Sequence, residues 1–164
     1  MSVLPAQMIR VLCQTGTKSD LIYPFTERSV INGMSYGLSG CGYDVQLAKT
    51  VWVWPFWRRL GVTVQHFNMP TDLRGKIENK STWVRFGIDA SMSTNMEPGW
   101  FGHLTVEMVR HLPWPRRIKA GTPILQVVFE ELVEPTEQPY QGRYQAQPAR
   151  AVAGRLLRGD EKVF

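Results

Sequence analysis

Short apolar runs separated by proline and glycine dominate the hydrophobic pattern of this chain. Alternating or continuous apolar residues predict strands at 51–57, 63–69, 73–78 and 124–129. One stretch has a helical repeat instead: residues 5–14 place Met8, Ile9, Leu12 and Cys13 on one face, with Ser2 as a cap and Gly16 as a stop. Many short strands with a single N-terminal helix imply an all-β barrel or sandwich.

The stretch 80–107, KSTWVRFGIDASMSTNMEPGWFGHLTVE, contains the candidate chemistry. It opens with Lys80, two hydroxyls and Arg85, passes a Pro-Gly turn, and ends with Glu107 inside an apolar strand. A carboxylate in such a strand requires a cationic partner or a proton, which suits a proton-transfer residue. Strand alternation places Thr105 and Glu107 on one face and Val106 on the other. The alternatives are a surface hairpin whose glutamate points to water, or a plain salt bridge between Arg85 and Glu107.

Length and composition favour one soluble globular domain. The chain has 164 residues, of which 43% are hydrophobic and 20% charged, with a net charge of +5. No apolar run approaches the roughly 20 residues of a membrane span. The first residues also lack the layout of a signal peptide. We therefore expect a cytoplasmic protein without a membrane partner.

The cysteines argue against a zinc site, and the cations argue against a nucleic-acid-binding site. Cys13 and Cys41 stand alone, without a CxxC pair, so a zinc site is not expected and both thiols are predicted to be buried and free. Lys and Arg residues are scattered, and the single dense cluster, 116–119, is short. We interpret that cluster as a solvated face, so a nucleic-acid-binding module is the weakest functional hypothesis.

Three further segments carry specific expectations. Four glycines within 33–42 indicate turns rather than a dinucleotide-binding loop, and Asp44 beside them is predicted to be structural. The tryptophans of 51–57 are predicted to pack in the core or at a subunit surface. Gln126, inside a buried strand, needs a hydrogen-bond partner, either backbone or ligand.

Several separated motifs resemble one enzyme family in their order and spacing. They are SYGLSGCGYDVQLA, HFNMP, KSTWVRFGI, EPGW, HLTVEM and PYQGRYQAQ. Together they resemble the zinc-free dCTP deaminases of the dUTPase-like superfamily, over residues 1–147. The resemblance implies a distorted jelly roll that forms a homotrimer. Residues 148–164 depart from the family and are interpreted as a C-terminal tail, whether a mobile lid, an added helix over 151–158 or a disordered segment.

The resemblance implies hydrolytic deamination of dCTP to dUTP and ammonia, supplying dUTP for thymidine nucleotide synthesis. Glu107 is then the proton shuttle, Ser81 positions the water, Arg85 sets the electrostatics, and a backbone carbonyl near Thr94 faces the water. The family resemblance also assigns substrate contacts. They are Lys80, Ser81, Thr82, Gln126, Tyr140, Arg143 and Gln147 toward phosphate, Glu97 toward the sugar, and Thr105 and Val106 beside Glu107 toward the base.

The same resemblance implies Mg²⁺ accompanying the triphosphate, no zinc, and dTTP as an inhibitor. The sequence departs from the family at Arg143, where lysine is usual, and in the loop 91–96. A dUTP diphosphatase and a bifunctional enzyme remain alternatives within the superfamily. A non-catalytic nucleotide-binding regulator is the alternative of another class.

Overall fold

The strands predicted at 63–69, 73–78 and 124–129 all form. The computed structural model describes residues 2–156. Its strands are β1 (Ser2–Val3), β2 (Ile22–Tyr23), β3 (Ser29–Ile31), β4 (Met34–Ser39), β5 (Gly42–Gln46), β6 (Val51–Val53), β7 (Arg59–Asn68), β8 (Leu73–Asn79), β9 (Ile88–Asp89), β10 (Phe101–Arg110), β11 (Arg116–Ile118) and β12 (Pro123–Glu131). Its helices are α1 (Ala6–Val11) and α2 (Ser81–Arg85).

All named strand pairs are antiparallel, and they form two larger sheets and a ribbon. One sheet has the order β1-β12-β5-β4-β3, with β8 on the other edge of β12. The second sheet has the order β2-β7-β10-β9, and β6 with β11 forms the two-stranded ribbon. The prediction of an all-β fold with a short N-terminal helix is confirmed.

The core lies between the two larger sheets. Phe67 of β7 and Phe129 of β12 are fully buried, and their ring centroids are 6.5 Å apart. Each such side chain contributes roughly 1.5–3 kcal/mol through burial. In β10, Leu104, Val106 and Met108 point into this core, whereas Thr105 and Glu107 on the opposite face are partly exposed. The predicted alternation is confirmed, and it sends Glu107 away from the core.

Helix α1 is shorter than predicted. Pro5 is its N-cap, while Ser2 lies in β1 and its hydroxyl donates to the Glu131 carboxylate at 2.8 Å. The chain leaves the helix at Leu12, whose carbonyl accepts from the Leu21 amide at 3.0 Å as the chain approaches β2. Gly16 is therefore not the helix stop.

Two other expectations fail because of local geometry. Cys41 is exposed, because it lies in the two-residue turn between β4 and β5. Cys13 is buried as predicted, and burial raises the pKa of its thiol to about 12. In the segment 51–57 only Val51–Val53 form a strand, since Pro55 interrupts it. The tryptophans are exposed in the single chain, so they do not pack in its core, and their packing at a subunit surface stays a prediction.

Within the described residues, two kinds of helix are absent: a membrane-spanning helix and a helix in the C-terminal tail. No helix among residues 2–156 is long and apolar enough to cross a membrane. Residues 151–156 are not helical, so the added helix predicted over 151–158 does not form there, and positions 157–164 lie outside the described residues.

The first testable prediction concerns Gly102 of β10, which pairs with Gln147 just before the C-terminal tail. Its φ of 136° is one that side-chain-bearing residues rarely adopt, and a Cβ there would collide with the Gln147 backbone. We expect Gly102→Ala to cost about 1–3 kcal/mol of unfolding free energy and to loosen the tail. Thermal melting and limited proteolysis measure both effects. Gly40→Ala is the control, because a Cβ at Gly40 meets nothing within 4 Å; equal melting temperatures for the two variants would contradict the prediction.

Candidate active site

A cleft beside β10, called here the Glu107 cleft, collects half of the predicted site. Its volume is about 420 Å³, and its lining includes Thr94, Glu97, Thr105, Glu107, Tyr140 and Gln147. These residues come from three separate segments of the sequence: the loop before β10, β10 itself and the chain after β12. The cleft thus brings together residues that the family resemblance assigns to catalysis, to the base, to the sugar and, in Tyr140 and Gln147, to phosphate.

Glu107 is held by its backbone as well as by its strand. Its amide donates to the Ser93 hydroxyl at 2.9 Å, and that hydroxyl donates to the Ala90 carbonyl at 3.1 Å. Ser93 is buried, so this link is shielded from water. The loop 91–96, which departs from the family pattern, therefore fixes the position of the candidate proton shuttle.

The charge beside Glu107 comes from Arg58 rather than from Arg85. The Arg58 guanidinium lies 3.6 Å from the Glu107 carboxylate, whose side chain is 31% exposed. Arg85 is exposed at the end of α2 and lines no part of the Glu107 cleft. The alternative of a plain Arg85–Glu107 salt bridge is thus not found within one chain, where Arg58 is the cation that pairs with Glu107.

The end of the domain at Gln147 and the start of the C-terminal tail together cover one side of the Glu107 cleft. Gln147 bridges to Gly102, and its side-chain oxygen accepts from the Thr105 hydroxyl at 3.0 Å. The Thr105 hydroxyl in turn accepts from the Val152 amide at 3.2 Å, and Val152 and Gly154 line the cleft. The tail is therefore part of the site wall as far as Gly154, although the domain boundary at 147 stays a prediction.

A second concavity, called here the Ser81 depression, holds the other predicted residues. Its volume is about 350 Å³, and it is lined by Lys80, Ser81 and Gln126 together with Arg28, Ser35 and Asp44, among others. The Gln126 amide donates to the Ser39 hydroxyl at 2.9 Å, which supplies the partner that a polar residue in this strand requires. Hydroxyl, amide and guanidinium donors gathered in one depression form a surface suited to an anion.

Lys80 is not available as a simple phosphate ligand. Its ammonium lies 2.6 Å from the Asp44 carboxylate, and the two side chains are only 12% and 5% exposed. This ion pair confirms the structural role predicted for Asp44. It also leaves Arg28 as the cation that lines the depression without a carboxylate partner in the described part of the chain.

Three predicted contacts lie elsewhere. Val106 is completely buried, so its side chain cannot contact substrate. Thr82 is half-buried in α2 and lines neither concavity. Arg143 stacks on Tyr144, with 5.7 Å between its guanidinium carbon and the ring centroid, and it donates to the Arg155 carbonyl. The guanidinium of Arg143 therefore braces the tail in this structure.

Sequence reasoning missed Ser93, Arg58 and Arg28. The signal for Ser93 was weak, because three serine or threonine residues lie close together in 91–94 and nothing distinguishes the buried one. Arg58 and Arg28 lie far from the 80–107 stretch in sequence, and only the fold places them at the two concavities.

The dCTP deaminase-like family profile matches residues 58–132. A dCTP deaminase of Campylobacter hominis is 30% identical, over 88% of this chain and 93% of that protein. The chain belongs to the dCTP deaminase family. A second relative in the family, a dCTP deaminase of Campylobacter curvus, is 32% identical over 77% of this chain and 86% of its own.

Solved structures show that this dCTP deaminase family member has a dUTPase-like fold. The dCTP deaminase of Agrobacterium tumefaciens superposes with a TM-score of 0.61 at 13% identity, over 77% of this chain and 47% of that one. The dUTPase of Streptococcus mutans superposes with a TM-score of 0.51 at 17% identity, over 70% and 95%. The predicted all-β fold of the dUTPase type is confirmed.

The second testable prediction concerns the Lys80–Asp44 ion pair. Lys80→Met would leave a buried carboxylate without its partner, which typically costs about 3–5 kcal/mol. Lys76→Met is the control, because its ion pair with Glu78 is half exposed and should be worth about 0–1 kcal/mol. Chemical denaturation of both variants measures the difference. A Lys80→Met protein as stable as Lys76→Met would show that the pair is not structural.

Proposed function

We propose that this protein catalyses the hydrolytic deamination of dCTP to dUTP and ammonia, and thereby supplies dUTP for thymidine nucleotide synthesis. The observation that carries the proposal is the placement of Glu107. In a member of the dCTP deaminase family, a single carboxylate projects from a regular strand into a cleft and is held there by a buried backbone contact.

The reaction needs one group that moves protons at defined atoms. Water attacks C4 of the cytosine and gives a proton to the Glu107 carboxylate, which passes it to N3. The tetrahedral C4 then bears a hydroxyl and an amino group. Glu107 moves the hydroxyl proton to the amino nitrogen, and the C–N bond breaks with its electron pair leaving on ammonia. One carboxylate serves both transfers, since it returns to its starting state after each.

We infer the remaining roles from the family resemblance. The backbone carbonyl near Thr94, at the rim of the Glu107 cleft, faces the attacking water, and the Ser81 hydroxyl holds that water from the other side. Arg85 steadies the charge that develops at the tetrahedral carbon. Glu97 lies where it can accept from the sugar, and Tyr140 and Gln147 line the wall toward the triphosphate.

These roles require more than one copy of the chain. Ser81 lines a concavity separate from the Glu107 cleft, and Arg85 lines neither. A homotrimer in which the Ser81 depression of one subunit meets the Glu107 cleft of the next would unite them. Closed cyclic assemblies use the same pair of complementary surfaces at every contact, so each of the three contacts would build one site.

Mg²⁺ would enter with the substrate as its triphosphate complex. Among residues 2–156 no group of three or more His, Cys, Asp or Glu side chains is placed to hold a metal ion. Phosphate oxygens and water are ligands that Mg²⁺ favours. The protein's own contribution is then to bind the triphosphate, through the donors of the Ser81 depression.

The third testable prediction is that Glu107→Gln folds and binds dCTP but hardly deaminates it. Glutamine preserves size and hydrogen bonding but cannot accept the proton, so turnover should fall by about 10²–10⁴-fold. Ammonia release, dCTP affinity and melting temperature are measured on the same sample, with Glu134→Gln, an exposed carboxylate outside both concavities, as the control. A folded Glu107→Gln protein with near wild-type turnover would place the proton shuttle elsewhere.

The products of the wild-type assay also separate the alternative functions. Release of ammonia with dUTP is the expected result, whereas dUMP and pyrophosphate would indicate a bifunctional enzyme or a diphosphatase. Binding of dCTP without any product would indicate a non-catalytic regulator. Adding dTTP to the same mixture tests the inhibition that the family resemblance implies.

The fourth testable prediction is that two inactive variants restore activity when their subunits are mixed. Glu107→Gln and Ser81→Ala damage opposite halves of a shared site. After co-refolding, each mixed trimer contains one intact site, so random mixing should restore about a quarter of wild-type activity. Mixing without dissociation is the control and should restore none. If co-refolding also restores none, the complete site lies within one subunit.

The fifth testable prediction concerns Arg28 as the phosphate-facing cation. Loss of a charge-assisted contact of about 1.5–3 kcal/mol corresponds to roughly ten- to hundredfold weaker binding. We expect Arg28→Gln to raise KM for dCTP by that factor while deoxycytidine is handled as before. Lys18→Gln, another exposed cation, is the control. Equal effects on both substrates would mean that Arg28 does not face phosphate.

A further inference from the structure

A surface rich in exposed aromatic side chains adjoins the deamination site at Arg58. A groove of about 520 Å³ is lined by Trp52, Trp54, Trp57 and Arg59, with Pro113 and Pro115 on its other wall. This surface is called here the aromatic groove. It is built on the β6–β11 ribbon, in which Trp52 pairs with Arg117.

The aromatic side chains of this groove are unusually exposed. Trp54 and Trp57 are 57% and 75% exposed, and Trp114, between the two prolines, is 75% exposed. Phe56 is 84% exposed and has a φ of 60°, an uncommon conformation for a phenylalanine. In the same ribbon Val51 and Val53 are buried, so the strand has a core face and the indoles lie on the opposite one. Exposed aromatic clusters of this kind mark binding surfaces.

The charged side chains that line the groove are both cations, Arg58 and Arg59, of which Arg58 also pairs with Glu107 at 3.6 Å. Residues 45–71 contain three Lys or Arg residues and residues 108–129 contain four, and neither segment contains Asp or Glu. Arg116 and Arg117 are exposed on β11, and the Arg116 guanidinium lies 4.4 Å from the Phe86 ring centroid. Arg58 and Arg59 line the groove, and strand pairing places Arg117 beside Trp52, so three cations accompany the aromatic side chains of this surface.

We propose that the aromatic groove binds single-stranded nucleic acid. Indole faces stack on bases of any sequence, and guanidinium groups contact the phosphates between them, which is how sequence-tolerant single-strand binding sites work. The stacking groups extend past the groove to Phe56 and Trp114, which suits several consecutive nucleotides rather than one. This assignment replaces the expectation, drawn from the sequence, that the chain has no nucleic-acid partner.

A second copy of the chain fits this surface less well. Glu27, Asp44, Glu78, Glu107 and Glu130 already form ion pairs with cations of their own chain. The sequence has nine further Asp and Glu residues, but its net charge is +5. A second subunit would therefore bring a surplus of positive charge to the groove and bury arginines beside charges of like sign, which is costly. A polyanion neutralises the same arginines and releases its counterions.

The test measures binding of fluorescein-labelled oligothymidylate to the full chain by anisotropy over a series of salt concentrations. We expect saturable binding whose log K falls with log[salt] by about 0.7 for each phosphate neutralised.

Trp52→Ser should weaken binding at least about fivefold through lost stacking. Arg117→Gln should weaken it and reduce the salt slope by about 0.7. Deamination of dCTP should be unchanged in both variants.

Lys18→Gln is the matched charge control and should bind like the wild type, and an excess of dUTP should not displace the oligonucleotide. Absence of binding, or equal binding by Trp52→Ser, Arg117→Gln and the wild type, would overturn the proposal. Displacement by dUTP would also overturn it, because the strand would then occupy the deamination site. A changed particle mass of either variant in light scattering would show instead that the groove is a contact between copies of the chain.

Discussion

The pairing of β7 with β10 is the interaction on which the rest of the site depends. Between His103 and Thr105 of β10, the partner strand advances from His66 to Val62, so β7 contains the irregularity. The buried Thr63 hydroxyl accepts from the Leu104 amide at 3.0 Å and donates to the Gln65 carbonyl at 2.7 Å. The Thr63 side chain thus satisfies two backbone groups at the bulge, and β10 keeps its regular alternation as far as Glu107.

Regular alternation in β10 imposes a constraint on every neighbour of Glu107. Because Val106 and Met108 are buried, the carboxylate must leave the core on the opposite face. There it meets three segments with no fixed secondary structure of their own: the Ser93 loop, the Arg58 turn and the tail. Each is tied by hydrogen bonds or charge to β10 or to a residue beside it, so a regular strand organises irregular segments around Glu107.

The parts of this fold that were predictable from sequence are those decided by local burial. The strands around Val106, Ile77 and Phe129 formed as their apolar patterns indicated, because a period of two leaves one consistent face. Helix α1 ended early and Cys41 was exposed, because a strand pairing and a hairpin turn decided those positions. The ion-pair partner of Glu107 could not be predicted from the neighbouring sequence, because Arg58 is 49 positions away.

The arginines show how one residue type serves three different purposes in this chain. Arg110 is buried, and its charge is satisfied by the carbonyls of Phe86 and Trp114, so it stabilises the fold without a carboxylate. Arg58 is exposed and faces Glu107, and it also lines the aromatic groove. Arg117 lies on the ribbon, in the segment that has no acidic residue. Composition alone assigns these residues one positive charge each. Burial and the nearest oxygen atoms distinguish the structural arginine, Arg110, from the exposed arginines, Arg58 and Arg117, which can meet an anionic ligand. Arg58 is also the residue at which the deamination site and the aromatic groove meet.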